Sequence, residues 1–154
     1  HEDKEKNRGY KMPKTISEDL YNILKKPREI KYRLCYINSQ IRNLEECLLP
    51  SGIRYDKDSV QSSPSDKLSE IVAEISVLEQ EHTELEAELL KAGDRIKALC
   101  TTLTDIEGTV IMMRFIALQK FEQIAIATNY TKGGIWDVYG RAIDKLEKEH
   151  SQKD

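Results

Sequence analysis

The sequence predicts an all-α protein: a long antiparallel coiled-coil hairpin followed by a small C-terminal helix-turn-helix bundle. Three observations carry that expectation. Over two long stretches the apolar residues recur at alternating steps of three and four, the spacing of a coiled-coil seam. Only 7 Gly and 4 Pro interrupt 154 residues, and 33% of the chain is charged, a balance that suits helices with broad solvated faces better than a thick sandwich or barrel core. Between Ala125 and Val138, four positions meet in register the needs of two helices joined by a tight turn.

The first seam follows a polar stretch. Residues 1–16 are polar and aperiodic and are expected to form a flexible lead-in, after which the hairpin arm covers 17–103. Ser17 can cap a short helix reaching Lys26, with Leu20, Ile23 and Leu24 on one side. Pro27 then punctuates the chain and is suited to the first turn of a new helix. From Ile30 the seam runs Ile30, Leu34, Ile37, Ile41, Leu44, Leu48, until Pro50-Ser51-Gly52 stops it. Residues 50–65 read as a loop packed over the hairpin tip through Ile53, Tyr55 and Val60.

Ser65 is placed to cap the second helix, whose seam Leu68, Ile71, Ile75, Leu78, His82, Leu85, Leu89, Ala92, Ile96, Leu99, Leu103 keeps its register throughout. A helix of this length extends about 55 Å. Gly93 is its weak point, at about 1 kcal/mol against Ala. Charge chooses the partner. Residues 66–103 hold nine acids and four bases, with Glu74, Glu79, Glu81, Glu86 and Glu88 beside the seam. A parallel homodimer would set Glu against Glu. Folding back instead brings Lys31 near Glu86, and Arg33 between Glu81 and Glu88. The second helix outlasts the first, so its last turns are expected to pack on the C-terminal domain.

That domain covers 104–150. Thr104 and Glu107 form a capping box that opens a helix through Val110, Ile111, Met113, Arg114 and Phe115. Ala117-Leu118-Gln119 connects it to a helix over Phe121–Thr128, and Thr131 caps a final helix reaching about Lys148. The helix-turn-helix reading rests on spacing. Ala125 is small where the two helices must approach. Asn129, four residues on, tolerates a positive φ. Ile135 and Val138 lie where the second helix must point inward.

If the motif reads DNA, its reading surface is the outward N-terminal half of the last helix: Lys132, Gly133, Gly134, Trp136, Asp137 and, a turn further, Arg141. Lys132 and Arg141 suit phosphates or guanine edges, Trp136 suits either a sugar or thymine methyl or burial beneath a neighbour, and the two glycines allow the backbone to come close. From 104 to 154 there are seven bases and eight acids, and the net charge of the chain is −3. DNA affinity from this domain alone should therefore be weak, and a second copy of the chain or a partner protein is expected to supplement it.

Residues 104–148 resemble region 4 of sigma-70-type factors, with Ile124-Ala125, Thr131, Ile135, Val138, Ala142-Ile143 and Leu146 at the matching intervals. The segment 49–148 resembles small phage and prophage proteins of Gram-positive bacteria related to the ArpU/RinA-type late transcription regulators. The stretches that carry this resemblance are LPSGIRYDKDSVQSSPSDKL, joined to a coiled-coil arm, and VYGRAIDKL. It implies a phage-encoded, non-enzymatic regulator that binds double-stranded DNA near late promoters and contacts host RNA polymerase in the bacterial cytoplasm. A coiled-coil protein-interaction adaptor without DNA binding is the competing reading.

Other chemistries lack the residues they need. Cys35, Cys47 and Cys100 have no CxxC spacing and read as reduced, partly buried thiols. His1, His82 and His150 are far apart, so neither metal nor cofactor is expected. His82, at a core position, reads as a partly solvated break in the apolar layers. No nucleophile–base pair or phosphate loop stands out, and no apolar run approaches the roughly 20 residues of a membrane span.

Overall fold

In the computed structural model, which describes residues 16–49 and 64–152, the protein is all-α, a helical hairpin with a small helical bundle. Five α-helices follow one another among the described residues: α1 Glu18–Leu48, α2 Pro64–Leu99, α3 Asp105–Phe115, α4 Phe121–Thr128 and α5 Lys132–Gln152, with a 3-10 turn at Cys100–Thr102 after α2. The expected loop lies outside the described residues except for Pro64 and Ser65, which already belong to α2, so Ser65 sits inside the helix rather than capping it. Of the expected lead-in only Ile16 is described, and it packs against the core.

The described residues divide into two compact units, one of 30–49 with 64–89 and one combining 16–29 with 90–152. In the first, α1 and α2 meet along the expected seam. Ile30, Ile37, Ile75 and Leu85 are buried, and Leu34, Ile41, Leu44, Leu68, Ile71, Leu78 and Leu89 are half-buried between them. Arg33 Nη2 lies 3.8 Å from Glu81 Oε1, the flanking ion pair expected of an antiparallel register. His82 is half-buried in the seam and places Nδ1 3.4 Å from Glu86 Oε1. Two cysteines depart from expectation: Cys35 and Cys47 are exposed, because the three-four seam leaves them on outer helix positions.

The second unit holds the larger core. Leu20 and Leu24 from the start of α1 and Ile96 and Cys100 from the end of α2 join Val110, Ile111, Ile124, Ile135, Ile143 and Leu146 in one buried cluster. The last turns of α2 thus pack on the C-terminal helices, as the unequal helix lengths require. The limit expected at 103/104 and the unit limits differ, since residues on both sides of 103 share this cluster.

Pro27 is the main local surprise. It lies inside α1 instead of opening a second helix. A proline in a helix interior costs about 3 kcal/mol. Burial of Leu20, Leu24 and Ile30 on the same helix, roughly 1.5–3 kcal/mol each, more than offsets it. Ser17 still caps the helix, its Oγ accepting from the Leu20 N–H at 3.3 Å.

Candidate nucleic-acid interface

The bundle is built from its caps inward. At the start of α3 the Thr104 Oγ accepts from the Glu107 N–H at 3.4 Å, and the Glu107 carboxylate accepts from the Thr104 N–H at 3.0 Å. This is the capping box expected there. Glu107 is buried, and Lys145 Nζ from α5 stands 2.7 Å from its Oε1. The Lys145 hydrogen bond, with help from Thr104, holds the carboxyl below its ordinary range against the opposing effect of burial. Helix α3 ends at a connector in which Leu118 takes φ 56° and Arg114 Nη1 donates to the Gln119 carbonyl at 3.1 Å.

Helices α4 and α5 are joined by Asn129–Thr131. Asn129 adopts the left-handed conformation, φ 59° and ψ 31°. The Tyr130 N–H then returns to the Ala125 carbonyl at 3.0 Å, a 6→1 closure of the helix end. Ala125 is buried, and Ile135 and Val138 are buried on the inner side of α5. Thr131 caps α5, its Oγ1 accepting from the Gly134 N–H at 3.0 Å. All four spacing requirements are met in place.

The six expected reading residues do not share one environment. Lys132 is exposed and places Nζ 3.1 Å from Glu122 Oε1 on α4. Gly133 is exposed, and a Cβ there would meet nothing within 4 Å. A Cβ on Gly134 would stand 3.1 Å from Thr131 Oγ1 and 3.4 Å from Tyr130 Cδ1, so the cap favours glycine at that position. Asp137 and Arg141 are exposed.

Trp136, of the two environments its position allowed, takes the half-buried one. It stacks on Phe121 with ring centroids 4.0 Å apart and meets Tyr139 edge-on at 6.1 Å. Arg114 covers the Phe121 ring from 4.5 Å. An indole with two aromatic neighbours of its own chain gains more from that packing than from water. Burial in the same cluster pushes the Tyr139 hydroxyl up to about 12.

Two exposed residues beside this surface were not anticipated, Ile126, 79% exposed on α4, and Tyr130 in the turn. Helix period offered a signal for the first, since Ile124 points inward and a residue two further on must point away. The surface thus carries Lys132 and Arg141 against Glu122 and Asp137, balanced in charge, with apolar groups among them. Among the described residues no group of three or more His, Cys, Asp or Glu is placed to hold a metal, and no helix is long and apolar enough to cross a membrane. Comparison with known protein families, with curated proteins and with solved structures finds no match for this chain.

Proposed function

We propose that this protein is a phage-encoded transcription regulator of the late-gene activator type, of the ArpU/RinA-like kind, which binds double-stranded DNA through α4 and α5. The observation that carries the reading is the left-handed Asn129 between a buried Ala125 and the inward Ile135 and Val138. This combination leaves the first turns of α5 uncovered on one side, as a recognition helix requires. The hairpin would serve assembly or contact with host RNA polymerase, and no catalysis is assigned.

The test is fluorescence anisotropy with promoter and scrambled phage DNA at several salt concentrations, beside thermal melts. Arg141→Ala and Lys132→Ala are expected to weaken binding without lowering the melting temperature. A lost phosphate contact should flatten the salt slope by about one unit, and a lost base contact should cost roughly 1–3 kcal/mol at one position of the site. Ile135→Ala should instead destabilise the bundle and weaken binding only as a consequence. A wild-type protein that binds no DNA at low salt, or surface variants that bind like wild type, would refute DNA reading.

The adaptor reading is favoured by one pair of observations. Glu122 already holds Lys132, and Phe121 already holds Trp136. Absence of DNA binding would leave that reading in place.

A further inference from the structure

The hairpin unit presents an exposed tyrosine on α1 and an exposed valine on α2. From the Arg33–Glu81 pair, three residues on along α1 reaches Tyr36, and four back along α2 reaches Val77. In an antiparallel pair both steps run the same way, by about 4.5 and 6 Å. Tyr36 and Val77 are therefore level with each other on the Arg33–Glu81 flank, 65% and 66% exposed.

The surroundings of this pair are lopsided in charge. At steps of three and four, α2 continues the flank as Glu70, Glu74, Val77, Glu81, Glu84 and Glu88, and α1 continues it as Arg33, Tyr36, Gln40, Asn43 and Cys47. With Lys67 at the start of that row, five carboxylates stand with two cations, Lys67 and Arg33, an excess of three negative charges, and beyond Tyr36 the α1 row is uncharged. On the opposite flank Lys31 and Arg42 stand against Glu45, Glu79 and Glu86, which is close to balance. The asymmetry is not a general property of the arm.

We infer that the flank centred on Tyr36 and Val77 docks a basic amphipathic helix of a protein partner, whose apolar residues cover that pair and whose Lys or Arg side chains meet the Glu row. Charge decides the occupant. A second copy of the same flank would oppose carboxylate to carboxylate, and nucleic acid or an anionic membrane would be repelled. From Glu70 to Glu88 the row extends about 27 Å, the length of a partner helix of about 18 residues. The inference is independent of DNA reading by α5, since the α4–α5 residues lie in the other unit.

The probe is a labelled amphipathic peptide of about 18 residues, with Leu at three-four steps and Lys between, titrated with the whole protein at physiological ionic strength and read by anisotropy. Replacing Glu74 and Glu84 together by Lys is expected to weaken binding by about tenfold or more, roughly 1.4 kcal/mol. The same net change on the opposite flank, Glu45→Lys with Glu79→Lys, should leave affinity within about twofold, well under 1 kcal/mol. Tyr36→Ser with Val77→Ser should also weaken it by about tenfold at unchanged net charge, with the melting temperature showing that the hairpin persists. Equal losses from the two charge pairs, insensitivity to the serine pair, or no binding by wild type would overturn the inference. It is equally overturned if sedimentation shows a dimer that the serine pair abolishes. Peptide binding that appears only once Lys4, Lys6, Arg8, Lys11 and Lys14 are replaced by Ser would instead assign the flank to the chain's own first residues.

Discussion

Glu107 does two things with one carboxylate. It completes the cap of α3 and accepts from Lys145 of α5, so a helix start and a helix–helix contact share a buried charge. Its folded pKa is lowered, so the stability it contributes is present above the ordinary value of 4.5 and is lost as pH falls through the folded value. Glu107→Gln is expected to cost roughly 1–3 kcal/mol at neutral pH. In urea titrations across the acid range, the gap between wild type and variant should stay level above about pH 5 and close below it. A gap that stays constant into strong acid would show that the charge contributes nothing. The capping box was readable from Thr104 and Glu107 alone, because its spacing is local. Lys145 was not, because 38 residues of chain separate the two partners. Leu118 at φ 56° was equally hidden. Leucine carries none of the side-chain chemistry that marks Gly or Asn for that conformation.

At the scale of elements, α1 shows packing overriding a local signal. Pro27 argues for two helices, yet the apolar positions on both sides of it continue one buried stripe, and a single helix results. Gly93 in α2 makes the opposite point. It is a buried helical glycine, and a Cβ there would meet Ile116 Cγ2 at 3.9 Å, an ordinary contact. Its backbone needs no positive φ. Gly93→Ala should therefore raise stability by about 1 kcal/mol, from helix propensity with no packing cost. A thermal melt measures it directly, and a lowered melting temperature would mean that the space beside Ile116 is smaller than the geometry shows. The seam of α2, by contrast, was legible over its whole length, since a three-four repeat admits one inward face.

At the scale of the molecule, the unit that carries α4 and α5 draws its core from both ends of the chain. Leu20 and Leu24 are fully buried beside residues of α5, and the Ser17 N–H donates to Glu147 Oε2 at 2.9 Å. Thr102 Oγ1 donates to Glu149 Oε2 at 2.7 Å in the same region. The start of α1 is thus part of the bundle. Leu24→Ala should destabilise it by roughly 2–5 kcal/mol, the range for a buried leucine truncation. Trp136, the one tryptophan, sits in the bundle and reports its unfolding by fluorescence. The Trp136 transition in urea should move to lower concentration in the variant, and an unshifted transition would remove α1 from this core.

Periodicity and caps were enough to read the all-α class, the antiparallel hairpin, α3 to α5 and the left-handed Asn129, because each depends on contacts within a few turns or on one inward face per helix. Three features depended on how distant segments meet. Leu20 and Leu24 look like one face of a short helix until the far end of α2 and α5 close over them. Trp136 suits either an outward reading position or burial until Phe121 and Tyr139 arrive beside it. Lys132 looks like an available cation until Glu122 stands 3.1 Å away. A helical pattern states which side chains share a face, but burial and pairing also depend on what covers that face. Those covering residues come from helices whose mutual placement is set by long-range packing, which no local spacing encodes.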